Sequence, residues 1–180
     1  VLSVTVLWSQ GTFNLNGPYD LNRNGITETF ILNSNDKSIQ WLEFEQLSKK
    51  KELWSYSLPN AENFLDIEIL DINQDGNQDI IALLDVSLSI NEKEWIYIFL
   101  GKKQGFLSKP VKIKNSNIKQ NYSRPSNLTV LNNESNKLAV ALGATIREIM
   151  IFEIKINTNS GSLANIEYIS EPNTNNGVGP

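Results

Sequence analysis

The sequence of 180 residues contains no histidine and no cysteine. The absence of cysteine excludes disulfides, thiol nucleophiles and thiolate zinc sites, and the absence of histidine excludes His-based triads and imidazole ligands on this chain. Any catalysis would depend on Asp, Glu, Lys, Arg or Tyr. No recognisable catalytic set of these residues stands out, so we expect a protein that is not an enzyme.

Long apolar runs and an excess of positive charge are also missing. No run is long enough to cross a bilayer, which predicts no membrane insertion. The chain has 16 Lys and Arg residues and 20 Asp and Glu residues. The net charge of −4 argues against nucleic acid or an anionic membrane as the partner. The hydrophobic fraction of 40% and the chain length predict one domain with a substantial core.

A pattern of oxygen-bearing side chains is present in residues 71–79, which we call loop 2. Positions 1, 3, 5 and 9 of this loop are Asp71, Asn73, Asp75 and Asp79. Calcium takes six to eight oxygen ligands, and Gly76 at position 6 allows a turn that brings the carbonyl of Asn77 to the same centre. The spacing predicts a calcium site. The alternative is a polar Asp-Gly turn between two strands that holds no metal.

The pattern occurs a second time in residues 20–28, which we call loop 1. Its oxygen donors are Asp20, Asn22, Asn24, Glu28 and the carbonyl of Ile26, with Gly25 at position 6. The two loops are 71 − 20 = 51 residues apart, and Phe13 and Phe64 are separated by the same distance. Such self-similarity indicates a repeat architecture. Loop 1 has two carboxylates and loop 2 has three, so loop 2 is predicted to bind Ca²⁺ more tightly.

The residues after loop 2 distinguish two families of calcium loops. An EF-hand requires a bidentate Glu at position 12 followed by a helix. Position 12 is Ala82, within the apolar run 80–84 that favours a buried strand. A strand, the pattern D-x-N-x-D-G-x-x-D and a second strand together resemble the FG-GAP/VCBS repeats of integrin-α-like β-propellers.

The resemblance implies an all-β fold with blades of four antiparallel strands around an axis, in which calcium rigidifies the hairpins. We expect about three blades, at about residues 9–59, 60–113 and 122–170, followed by a linker or disordered tail at 171–180. The third blade lacks the leading Asp and the Gly of the loop, so we expect no calcium there. Propellers typically close with four to eight blades. The chain is therefore expected to form a partial or open propeller, with Val1–Trp8 as a strand that belongs to no blade of its own.

Three smaller features have two interpretations each. Trp41 and Trp95 are placed at matching positions of two third strands, and packing between blades is favoured over sugar binding. The run Lys49–Lys51 is interpreted as a solvated hairpin end rather than a ligand-binding patch. Three glycosylation triplets begin at Asn121, Asn127 and Asn133, although such triplets arise by chance in an Asn-rich chain.

These observations predict an extracellular or cell-surface module for binding, adhesion or surface assembly. Calcium loops of this charge resemble extracellular sites with dissociation constants of roughly 10⁻⁴–10⁻³ M. The expected partner is a protein or carbohydrate at the cell surface, and self-association or flanking blades would cover the open edges. A start at Val1 without an initiator Met fits a processed segment. The alternatives are a polysaccharide lyase or hydrolase of propeller type and a purely structural surface protein.

Overall fold

The computed structural model describes residues 13–46, 49–59, 62–86, 93–114, 124–132, 137–143, 148–157 and 162–170. Every regular element in these ranges is a β-strand. In the described part of the chain, no helix has the length and apolar character needed to cross a membrane. The predicted strand Val1–Trp8, the predicted tail and the triplets at Asn121 and Asn133 lie outside the described residues.

Sheet 1 contains four antiparallel strands that neighbour one another in chain order. They are β1 (Phe13–Tyr19), β2 (Glu28–Asn33), β3 (Ser38–Gln46) and β4 (Lys49–Ser57). Lys49, Lys50 and Lys51 are exposed and begin β4, with Lys49 paired to the last residue of β3, so their interpretation as a solvated hairpin end is confirmed. These lysines pair with β3, where Lys51 lies 3.6 Å from Glu43.

Sheet 2 repeats the same order with one insertion. Its strands are β5 (Phe64–Leu70), β6 (Asp79–Leu84), β7 (Glu94–Phe99) and β10 (Val111–Lys114), and the inserted strands β8 (Gly101–Lys102) and β9 (Gly105–Phe106) have two residues each. β8 and β9 form a small separate hairpin, while β10 pairs with β7. The end of this blade is therefore divided between β9 and β10. All six residues of β6 are buried, as its apolar sequence predicts.

Sheet 3 has the same up-and-down order. Its strands are β11 (Arg124–Asn132), β12 (Lys137–Gly143), β13 (Glu148–Asn157) and β14 (Ser162–Ser170). Asn127 lies on β11 with its side chain exposed. Each sheet thus has a first strand at one edge, a last strand at the other, and antiparallel neighbours throughout.

The offset of 51 residues extends from the sequence to the strand register. β1 and β5 begin 51 residues apart, and so do β2 and β6. Phe13 pairs with Asn33, and the corresponding pair is Phe64 with Leu84. Each first strand has one register shift, between Asn16 and Tyr19 in β1 and between Phe64 and Asp66 in β5, so the pairing differs by one residue in the middle and agrees again at the loop. The first two blades therefore have the same backbone design.

Aromatic rings fill the space between sheets 1 and 2. Trp54 of sheet 1 lies edge-on to Phe99 of sheet 2 and to Phe106 of the β8–β9 hairpin, with ring centroids 5.1 and 5.3 Å away. Tyr56 makes a similar contact with Phe99 at 4.7 Å. Such edge-to-face pairs contribute about 0.5–1.5 kcal/mol each beyond the area they bury. The two sheets therefore pack face to face through specific ring geometry.

Trp41 and Trp95 are both buried, with 4% and 0% of their surface exposed, so the packing interpretation is confirmed. Their assignment to matching positions was wrong. Phe30 pairs with Trp41, whereas the equivalent residue of sheet 2, Ile81, pairs with Ile98. The connection from β2 to β3 spans residues 34–37 and that from β6 to β7 spans 85–93, so the longer connection shifts the register of the third strands.

Polar contacts join the first strands of the three sheets. The Asn16 Nδ2 on β1 donates to the carbonyl oxygen of Ile67 on β5 at 2.9 Å. On the other side, the backbone N–H of Leu128 on β11 donates to Asp66 on β5, also at 2.9 Å. The sheets therefore pack in chain order with their first strands adjacent. This is a partial, propeller-like stack of about three four-stranded blades, as the sequence predicted.

Candidate metal-binding loops

Loops 1 and 2 occupy the same place in their sheets. Loop 1 connects β1 to β2 and loop 2 connects β5 to β6, and the ninth residue of each loop opens the second strand. Arg23 and Gln74, at position 4, have φ angles of 58° and 59°. Gly25 and Gly76, at position 6, have φ angles of 80° and 89°, with no other atom close to where a Cβ would stand. Glycine is favoured there by the left-handed backbone and not by lack of space.

In loop 2 the oxygens at positions 1, 3 and 5 accept hydrogen bonds from the loop's own amides. Asp71 accepts from the N–H groups of Asp75 at 3.0 Å and Gly76 at 2.8 Å. Asn73 Oδ1 also accepts from Asp75 N–H, and Asp75 Oδ1 accepts from Asn77 N–H. Burial raises the pKa of Asp75, but the hydrogen bonds from Asn77 and Asn73 outweigh it and leave that pKa below its usual value.

Loop 1 reproduces this network residue by residue. Asp20 accepts from the N–H groups of Asn24 at 3.0 Å and Gly25 at 3.2 Å. Asn22 Oδ1 accepts from Asn24 N–H, and Asn24 Oδ1 accepts from Ile26 N–H. The structure therefore brings together the alternating oxygens that the spacing predicted, in two copies of one loop conformation.

The carboxylate at position 9 of loop 2, Asp79, is fully buried. It accepts from the N–H of Ile72 at 2.9 Å and from that of Gly101 at 2.6 Å. Burial, with a smaller contribution from the charges of Asp75 and Asp71, raises its pKa to about 6. A Cβ on Gly101 would stand 2.1 Å from the carbonyl oxygen of Gln78, so glycine is required for this close approach.

The corresponding carboxylate of loop 1, Glu28, is also fully buried. Its Oε2 accepts from Leu21 N–H at 2.8 Å and from the indole Nε1 of Trp41 at 3.1 Å. Burial raises its pKa, partly offset by the N–H groups of Leu21, Trp41 and Asn22. Its Oε1 is buried and makes no hydrogen bond with the described residues. A buried carboxylate oxygen without a donor is costly, so this oxygen is a position where a cation would be favourable.

The structure adds one acidic residue to loop 1 that the spacing did not predict. Glu43 on β3 is only 2% exposed and pairs across the sheet with Glu28. Its Oε2 accepts from the side-chain amides of Asn24 and Asn22, and these hydrogen bonds lower its pKa. Glu43 therefore holds the two amide ligands by their nitrogens. The sequence feature that could have indicated Glu43 is its position two residues after Trp41, which places both side chains on the same face of an alternating strand.

Residues 20–82 match the FG-GAP-like repeat family. The chain carries an FG-GAP-like repeat. The match starts at the first residue of loop 1, includes all of loop 2 and ends within β6. It therefore covers both candidate metal loops, as the sequence resemblance predicted. No curated protein and no solved structure matches the chain.

Within the FG-GAP-like repeat, the donors are a mixture of carboxylates, Asn amides and backbone carbonyls. No group of three or more His, Cys, Asp or Glu side chains suited to a metal ion occurs among the described residues. A cation at either loop would thus depend on the Asn oxygens as well as the carboxylates. The third connection, 133–136, lies outside the described residues, and the expectation that it binds no calcium stays a prediction.

Proposed function

We propose that this chain is a calcium-stabilised module of β-propeller type that acts outside the cell in binding or adhesion. The observation that supports it best is the correspondence of loops 1 and 2 in the hydrogen bonds from backbone N–H groups, in left-handed positions and in a buried acid at position 9. A turn without a metal would need only a short polar connection, and it would not require a buried carboxylate in both copies.

The donor chemistry fits a hard cation. The proposed ligands of loop 2 are Asp71, Asn73, Asp75, Asp79 and the carbonyl of Asn77. The proposed ligands of loop 1 are Asp20, Asn22, Asn24, Glu28 and the carbonyl of Ile26. A carboxylate offers about four acceptor sites, so the oxygens that accept one N–H retain capacity for a metal. Glu28 Oε1 is the most available, because it accepts from no described donor.

The role of calcium in this proposal is structural. When bound, it would supply positive charge beside the buried carboxylates of Asp79 and Glu28. Each loop connects the first two strands of a blade, so fixing the loop also fixes the strand pair that carries the hydrogen bonds between sheets. A ligand that binds only the folded state stabilises it by RT ln(1 + [L]/Kd).

The proposed location follows from the expected affinity. Loops with two or three carboxylates and no position-12 Glu resemble extracellular modules with dissociation constants of roughly 10⁻⁴–10⁻³ M. Such loops would fill only where free calcium is in the millimolar range. The alternatives of a polysaccharide-active enzyme and a self-associating structural protein are less well supported, because no specific observation in the described residues favours either.

The first test is calcium titration of the chelated protein by calorimetry. We expect two weak sites in the wild type, one in Asp75→Ala, one in Asp20→Ala, and two in the control Glu45→Gln, whose carboxylate is exposed and paired with Lys49. Heat no greater than the buffer control would show that the loops bind no calcium. A dissociation constant below about 10⁻⁶ M would contradict the extracellular assignment.

The second test is thermal and urea unfolding with calcium and with EGTA. Calcium at a hundredfold excess over Kd should raise the free energy of unfolding by about 2.7 kcal/mol per site. An unchanged melting temperature, with loss of metal confirmed, would mean that the loops do not stabilise the fold.

A further inference from the structure

A cleft of about 1000 Å³ lies between sheets 1 and 2, at the end where both loops are found. Loop 1 and strands β3 and β4 line one side, and loop 2 and the β8–β9 hairpin line the other. A volume of this size is within the range of small-ligand sites, which is roughly 300–1000 Å³. The cleft is thus large enough for several sugar rings or a short peptide.

The lining is positively charged although the whole chain is negatively charged. Its cations are Arg23, Lys51, Lys102 and Lys103, and its one carboxylate is Asp20. The net charge of the lining is therefore +3, against −4 for the chain. Both oxygens of Asp20 already accept loop amides. Such a local reversal of sign attracts an anionic ligand.

Three of these cations form no ion pair with a carboxylate among the described residues. Lys51 lies 3.6 Å from Glu43, but Arg23, Lys102 and Lys103 form no salt bridge within the described part of the chain. Lys102 and Lys103 project from the β8–β9 hairpin and are exposed. An ammonium or guanidinium group in this position can form charge-assisted hydrogen bonds with carboxylate or sulfate oxygens.

Neutral groups between the cations favour a hydroxylated ligand. The lining includes the side-chain amides of Gln78 and Gln104, together with those of Asn22 and Asn77, which already form hydrogen bonds in or beside the loops. An amide both donates and accepts, which suits hydroxyl groups that do the same. Trp41 and Phe106 border the cleft from the core with only 4% and 5% of their surface exposed, and the half-buried Leu21 and Leu53 supply its apolar surface. Cations for acid groups, amides for hydroxyls and some apolar surface are the contacts that an acidic sugar chain requires.

We propose that this cleft binds an acidic oligosaccharide, a sugar chain that bears carboxylate or sulfate groups. The proposal deepens the binding role proposed above and rests on it, but it does not require calcium at either loop. Lys102 and Lys103 are assigned the recognition of the acid groups, and Arg23 extends the positive strip along loop 1.

The test is calorimetric titration of the wild type with four probes. They are a hexagalacturonate, a sulfated maltohexaose, neutral maltohexaose and hexaglutamate. We expect binding of at least one acidic saccharide and none of the neutral one. The double variant Lys102→Gln/Lys103→Gln should weaken that binding by roughly tenfold or more, because two charge-assisted contacts are lost. The matched control Lys50→Gln/Lys109→Gln removes two exposed lysines outside the cleft and should bind like the wild type.

Several results would overturn the proposal. They are no binding of either acidic saccharide, equal binding of neutral maltohexaose, equal weakening in the two double variants, or hexaglutamate binding as tightly as the saccharides. The last result would assign the cleft to an acidic peptide. A parallel titration in EGTA separates this proposal from the calcium proposal. Saccharide binding without a calcium response would overturn only the metal loops, and the reverse result would overturn only the cleft.

Discussion

Loops 1 and 2 have the same backbone and differ in how the rest of the sheet supports them. The buried acid of loop 2, Asp79, is held by a backbone N–H from the β8–β9 hairpin. The buried acid of loop 1, Glu28, is held by the side chain of Trp41 and retains one oxygen without a described donor. The two loops therefore have the same geometry, but the hydrogen-bond donor to the buried acid comes from a different structural element in each copy.

A second difference lies at the third strand. Ile98 occupies the position of Trp41, so Leu100 corresponds to Glu43 two residues later. Loop 1 consequently has three acidic residues in or beside it, Asp20, Glu28 and Glu43. Loop 2 has three within its own nine residues, Asp71, Asp75 and Asp79. Loop 2 was predicted to bind calcium more tightly because it has three carboxylates and loop 1 has two. Glu43, which lies beside loop 1, reduces that difference.

The largest expected effect concerns the hairpin that closes loop 2. Gly101→Ala would place a Cβ 2.1 Å from Gln78 O and displace the N–H that Asp79 accepts. We expect a loss of about 3–4 kcal/mol in the free energy of unfolding, from overpacking together with a poorly satisfied buried carboxylate. Urea unfolding measures it. Gly105→Ala is the control, because it has φ of 93° but no atom nearby, and should cost only about 1–2 kcal/mol. Equal losses would show that the close approach does not matter.

The next effect concerns the side chain that supports loop 1. Trp41→Phe removes the indole N–H from Glu28 and leaves the buried carboxylate with fewer donors. We expect a loss of about 2–3 kcal/mol. Trp54→Phe is the control, because Trp54 packs against Phe99 and Phe106 and its change tests ring size alone. If both variants lose the same stability by urea unfolding, the hydrogen bond to Glu28 contributes nothing measurable.

A smaller effect is expected at Glu43, which orients Asn22 and Asn24 from outside the loop. In an Asp75→Ala background, where only loop 1 remains, Glu43→Gln should weaken calcium binding by roughly tenfold, as is typical when an outer-shell partner is lost. Calorimetry measures this, with Glu45→Gln on the same strand as the control. The same single-loop proteins test the order of the two sites. Tighter binding in Asp75→Ala than in Asp20→Ala would contradict the prediction that loop 2 is the stronger site.

The smallest effect concerns a third difference between the copies. The offset of 51 places Leu15 and Gly17 where β5 has Asp66 and Glu68. Burial raises the pKa of both acids, and the charge of Asp66 raises that of Glu68 further. The folded state therefore binds more protons than the unfolded state between the ordinary and the raised pKa values, and stability falls as pH rises through that interval.

Glu68→Gln should remove part of the loss of folding stability that occurs as pH rises. We expect the variant to gain less than about 1 kcal/mol over the wild type at neutral pH and nothing at low pH, where Glu68 is protonated in both states. Urea unfolding across the interval measures the difference between the two proteins. A variant that is less stable than the wild type at neutral pH would show that the carboxylate is favourable in the fold.

The sequence was sufficient to predict what depends on local spacing. The two nine-residue loops, their glycines and the strands on either side follow from alternation of oxygens and from the apolar run after each loop. The offset of 51 residues is preserved through β2 and β6, because the loops that precede them have equal length. The four-stranded antiparallel blades were predicted through the family resemblance, and the structure has that order in all three sheets.

Contacts between distant strands could not be predicted in this way. Glu43 reaches loop 1, and Gly101 reaches Asp79, only because the register of the third strand places them there. That register depends on the length of the preceding connection, which differs between the blades and moves the equivalent of Trp41 from residue 95 to residue 98. The β8–β9 hairpin contains only two residues per strand, too few for an alternating pattern to indicate it.

The N–H of Gly101 has a consequence for how the two proposed sites would influence each other. It fixes the start of the hairpin to the ninth residue of loop 2, and the next two residues are the lysines of the cleft. A ligand at either site would therefore influence the conformation of the same segment, the β8–β9 hairpin. Thermodynamic linkage requires that the saccharide changes the calcium affinity by the same factor by which calcium changes the saccharide affinity. Calcium titrations with and without sulfated maltohexaose measure this factor, and identical dissociation constants would mean that the hairpin carries no coupling.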